Sequence, residues 1–106
     1  MGWKDLTVKV INIEGFCPVY EVGDTFFLDQ GYKLNCAKSC SVCVHALNSI
    51  MSFMVPLSAG LPLKDLGLGQ EEDDIAYVQC LDPGPPYTEG GTVTFAITRS
   101  NAPQDE

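Results

Sequence analysis

The sequence predicts an α+β domain in which a small, mostly antiparallel sheet is covered by one amphipathic helix. Three observations lead there. Four short segments, 6–13, 25–28, 75–80 and 92–98, are rich in β-branched and aromatic residues, several in strict alternation. A single stretch carries a helical repeat: Cys36, Cys40, Cys43, Leu47, Ile50, Met54 and Leu57 are spaced four, three, four, three, four, three. At 106 residues the chain holds one domain with a modest core. One helix laid on one sheet is the simplest way to bury both apolar faces. The element order is β-β-α-β-β over residues 1–99, followed by a polar tail at 100–106, with no internal repeat.

The first strand covers 6–13, with Leu6, Val8 and Val10 on one face. Gly15 breaks it, and Pro18 holds Cys17 in an extended or turn conformation. Val22-Gly23-Asp24 reads as a turn in which the Asp24 carboxylate bonds nearby amides. The second strand follows at 25–28, then a short polar connection over 30–35. Asn35 or Ser39 is placed to cap the helix, expected over 39–54 and ended by Pro56. Residues 61–69 read as a loop with one short turn at 63–66. Glu71 to Asp74 is an acidic run without the spacing of a calcium loop. The third strand, 75–80, places Ala76, Val78 and Cys80 on one side. The prolines of 82–87 exclude a helix and make a stiff loop, suited to the wall of a binding site with Asp82 and Tyr87 as contacts. The last strand, 92–98, turns Val93, Phe95 and Ile97 inward.

Composition narrows the function. Six Lys plus Arg stand against fourteen Asp plus Glu, a net charge of −8. That excludes nucleic acid and an anionic membrane surface as partners, since both demand clustered cations. No apolar run approaches the ~18 residues of a membrane span. The N-terminus leads into a strand pattern rather than an apolar signal segment. Five cysteines, an odd number without an export signal, point to a reducing cytoplasm. There they act as metal ligands or free thiols, and a partner protein or self-association stays open.

Three cysteines and the only histidine crowd into 36–45. Thiolates are the soft ligands of zinc and of iron–sulfur clusters. Cys40 and Cys43, one helical turn apart, can share an ion. Cys36 and Cys43, about 10 Å apart on a straight helix, cannot. Equally, free cysteines pack as small hydrophobes. On the helical repeat His45 projects from a polar stripe with Ser41, Asn48 and Ser52, away from the cysteines. The spacing of Cys36, Cys40 and Cys43 also resembles the cluster loop of radical S-adenosylmethionine enzymes. Those enzymes need a large α/β barrel that this length does not supply.

A wider resemblance covers nearly the whole chain. It rests on Gly15-Phe-Cys17, Gly23-Asp24-x-Phe26 and Cys43-Val-His45-Ala-Leu47. Gln79-Cys80-Leu-Asp82-Pro-Gly-Pro-Pro-Tyr87 and Gly90-Gly-Thr-Val93-x-Phe95 complete it. These motifs resemble a small family of single-domain proteins, mostly of anaerobic bacteria and archaea. The resemblance implies an anaerobic setting and carries over no activity. It sorts the cysteines, because Cys17, Cys43 and Cys80 fall inside the shared motifs while Cys36 and Cys40 fall outside. Three thiols on a loop, a helix start and a strand end are then expected to meet at one edge of the sheet. They would hold an iron–sulfur cluster or zinc, with Cys40 or, less favourably, His45 as a fourth ligand.

The first reading is therefore a cysteine-ligated metal or cluster module of electron or sulfur handling. The second is a metal-free binding domain with packed cysteines and a pocket walled by 82–87. The third is a thiol enzyme with Cys43 as nucleophile, since a helix N-terminus favours a thiolate.

Overall fold

The structure is a computed structural model that describes residues 3–70, 73–80, 82–83 and 86–101. Strands β1 (Lys4–Glu14), β2 (Thr25–Asp29) and β3 (Lys33–Leu34) are followed by helices α1 (Val44–Ser58) and α2 (Leu63–Leu66). Strands β4 (Ile75–Gln79) and β5 (Thr92–Asn101) complete the chain. The five strands form one sheet in the order β3-β2-β1-β5-β4, and every neighbouring pair is antiparallel. The α+β class, the antiparallel sheet and the single main helix covering it are as the alternating patterns predict.

Alternation sets the core. Leu6, Val8 and Val10 of β1, Phe26 and Leu28 of β2, and Val93, Phe95 and Ile97 of β5 are buried on one face. Ala46, Ile50 and Leu57 of α1 and Leu63 of α2 close over them. A bulge at Ile11 keeps β1 in phase: Val10 pairs with Phe95, and Asn12, not Ile11, pairs with Thr94. The extra residue brings Ile13, opposite Val93, onto the core face in place of Asn12.

The helix departs from its predicted bounds at both ends. It begins at Val44, not Ser39. The preceding segment is held along the edge of β2 instead. Asn35 N–H donates to Phe27 O and Cys40 N–H to Thr25 O, while the Ser39 hydroxyl accepts from Phe27 N–H. Backbone groups committed to a strand edge cannot also close helical turns. Neither Asn35 nor Ser39 caps the helix; Asn35 Oδ1 accepts from Lys38 N–H. The two-residue β3, which falls within the predicted polar connection over 30–35, borders this edge.

At the other end α1 continues through Pro56 to Ser58. A proline removes one amide bond, but burial of Leu57 and Ser58 holds the last turn. Arg99, whose side chain is only 6 % exposed, adds bonds to Leu57 O at 3.2 Å and Leu61 O at 2.7 Å. Strand β5 also outruns its predicted end, since Ser100 and Asn101 pair with Asp5 and Lys4. The rest of the expected tail, 102–106, lies outside the described residues, as do Glu71 and Glu72 of the acidic run. Asp73 and Asp74 of that run have structural roles: Asp73 accepts from Ile75 N–H, and Asp74 pairs with Arg99. Among the described residues no helix is long and apolar enough to cross a membrane.

Candidate functional site

Sheet topology brings one set of chain ends together. Glu14 at the end of β1 pairs with Thr92 at the start of β5, and Gln79 at the end of β4 pairs with Thr94. The loop after β1, the segment after β4 and the entry to β5 therefore meet at one end of the sheet. The N-terminus of α1 arrives there too. Cys17 leaves β1, Cys80 leaves β4, and Cys43 is the N-cap of α1. All three line one cavity of about 250 Å³, together with Pro18, Val19, Tyr20, His45, Ala46, Asp82, Gly90, Gly91 and Val93.

Each thiol is set by local backbone. Cys17 Sγ accepts from Tyr20 N–H at 3.4 Å, which folds the Cys17–Tyr20 turn around the sulfur. Cys80 is buried; its sulfur accepts from Val93 N–H at 3.2 Å and donates to Gly91 O at 3.7 Å. Cys43 has extended backbone, φ −80° and ψ 134°, and does not cap the helix through its side chain. Its N–H donates to the Tyr20 hydroxyl at 2.8 Å, and its carbonyl accepts from Leu47 N–H to close the first turn.

Tyr20 is the residue that sequence reasoning missed. Its ring stacks on Phe26 and meets Phe95 edge-on, at centroid distances of 6.5 and 5.7 Å. Burial pushes its hydroxyl up to about 12, since phenolate is disfavoured away from water. A tyrosine three residues after Cys17 and two after Pro18 was the available signal.

On the far wall the Asp82 carboxylate accepts from the Thr88 hydroxyl, and Asp82 O accepts from Thr92 Oγ1 at 2.6 Å. A Cβ at position 90 would press on the Asp82 carboxylate, the movable end of a side chain, whereas one at 91 would lie 2.8 Å from the Phe16 backbone. Glycine at 91 is thus a requirement of close approach by the β1 loop.

The predicted site residues divide. Cys17, Cys43, Cys80 and Asp82 share the cavity. Cys40 does not: with its segment tied to β2, it lines a separate cleft with Leu34, Cys36 and Val42. Burial, with the Asp24 carboxylate second, raises the Cys40 thiol above its ordinary value. Tyr87 does not line the cavity either; it is 80 % exposed, so the wall of this loop is Asp82 alone among the described residues. Leu81, Gly84 and Pro85 lie outside the described residues. His45, expected to project away, lines the same cavity as Cys43. Because α1 starts only at Val44, the helical stripe that separated the two does not exist.

The donor set has the chemistry of a zinc or cluster site. Yet among the described residues no three His, Cys, Asp or Glu side chains gather closely enough to hold a metal ion. The cavity as it stands has apolar walls from Pro18, Val19, Ala46 and Val93, with a few polar groups converging on them. No family model, curated protein or solved structure matches the chain.

Proposed function

We propose that the chain is a metal-free binding module for a small, largely apolar molecule. The observation behind it is the cavity where two loops and a helix N-terminus meet, apolar in its walls and with His45 and Asp82 among its lining residues. That combination is the common form of a small-molecule site. At about 250 Å³ it falls just under the ~300–1,000 Å³ of drug-sized pockets, so the guest is compact. Backbone bonds already made by Cys17 and Cys80 support cysteines that pack without a metal.

A second reading keeps the cavity and changes the guest: an iron–sulfur cluster or zinc held by Cys17, Cys43 and Cys80. Its support is that three thiols, widely separated in the chain, line one cavity. His45 beside Cys43 keeps the nucleophilic role of Cys43 a weaker third possibility.

One preparation separates the first two. The chain is purified without oxygen, and iron, zinc and acid-labile sulfide are measured alongside a variant carrying Cys17→Ser, Cys43→Ser and Cys80→Ser. The metal-free reading expects substoichiometric metal and a variant that loses stability but no bound species. Metal near one equivalent per chain, lost with the three sulfurs, would overturn it in favour of the second.

A further inference from the structure

We propose that the guest of the thiol cavity is a compact, uncharged molecule with an apolar body and one carbonyl oxygen, which accepts the hydrogen of the Tyr20 hydroxyl. This rests on the binding reading above and adds the polar end that such a guest carries. Tyr20 lines the cavity and is only 4 % exposed. Its oxygen already accepts from Cys43 N–H at 2.8 Å. A phenol also has a hydrogen to give, and among the described residues that hydrogen has no acceptor. Burial raises the phenol to about 12, so it stays a donor through neutral and mildly alkaline pH. A buried donor that makes no bond costs free energy, and the cavity is the space on which this one borders.

The neighbouring acceptors are already engaged. Cys17 Sγ accepts from Tyr20 N–H, Cys80 Sγ from Val93 N–H, and the Asp82 carboxylate from the Thr88 hydroxyl. The start of α1 leans the same way as Tyr20. Its first amides have no partner within the helix. Cys43 gives no side-chain cap, and no Asp or Glu stands in the first turn. Phenol and helix end both favour an acceptor. Charge then decides its kind. A carboxylate guest would meet Asp82 in the same cavity, on a chain of net charge −8. An ammonium brings donors only. A neutral carbonyl on an apolar body suits both Tyr20 and the walls of Pro18, Val19 and Ala46.

Two probes of one shape test this: acetophenone, and α-methylstyrene, in which a CH2 group replaces the oxygen. Their affinities are read from the amide shifts of Cys17, Cys43 and Gly91 on isotope-labelled protein kept reduced. A carbonyl that enters the cavity gives up its bonds to water, and leaving it unpaired there weakens binding about tenfold. The parent should therefore bind acetophenone at least as tightly as α-methylstyrene only if the oxygen finds its donor. Tyr20→Phe, checked as folded by circular dichroism, should bind the ketone about tenfold more weakly and the hydrocarbon as the parent does. A parent that favours the hydrocarbon would overturn the proposal and leave the apolar cavity standing, and so would a folded Tyr20→Phe that holds the ketone as tightly. Binding of neither probe would overturn the binding reading itself, and this inference with it. The comparison of the two probes is made on the parent, so it decides even where Tyr20→Phe does not fold.

Discussion

Cys43 shows how one backbone setting decides what its neighbours can reach. As an extended N-cap it turns its N–H to Tyr20 and lets His45 share its cavity. Replacing Tyr20 by Phe keeps the ring packing but leaves that N–H without its acceptor. The cost expected in denaturant unfolding is about 1–3 kcal/mol. Tyr20 also sets an alkaline limit. Its folded value, about 12, lies above its ordinary 10.0, so its contribution is complete below pH 10 and is lost as pH rises toward 12. Ultraviolet titration of phenolate should show a late step that Tyr20→Phe removes. Gly91→Ala is the matching test of close approach. A methyl 2.8 Å from the Phe16 backbone forces main chain to move, and a loss of about 1–3 kcal/mol is expected from thermal or chemical unfolding.

At the scale of elements, Arg99 joins the end of α1 to β5. It donates to two carbonyls at the helix end and pairs with Asp74 at 2.6 Å. Arg99→Ala should lower stability by about 2 kcal/mol or more, since it removes charge-assisted bonds that satisfy terminal carbonyls. Asp74→Asn, at a largely exposed carboxylate, should cost much less. The guanidinium holds the Asp74 carboxyl below its ordinary 3.8. Its contribution is therefore present above that value and fades as pH falls through the lowered one, a fading that Arg99→Ala should abolish. The sheet was legible in the sequence because Leu6, Val8, Val10 and Val93, Phe95, Ile97 alternate without exception. The helix start was not. Cys36, Cys40 and Cys43 continue the spacing of Leu47, Ile50 and Met54 by coincidence, and edge bonds to β2 that no local pattern encodes override it. The helix end was hidden for a similar reason, because Arg99, far along the chain, stabilises a turn that Pro56 weakens.

For the whole molecule, antiparallel pairing of β1 and β4 with β5 gathers two loops and the start of α1 at one end of the sheet. Cys17, Cys43 and Cys80 line one cavity there. Cys40 and Tyr87 stand apart, because their placement depends on edge pairing and loop direction rather than on residue type. A screen of small apolar fragments, mapped by amide chemical shifts on isotope-labelled protein, tests the binding reading most directly. Fragments that bind should move the resonances of Cys17, Tyr20, Cys43, Cys80 and Gly91 together and leave Cys36 and Tyr87 in place. Fragments that bind elsewhere, or that shift only one of the three cavity cysteines, would contradict it.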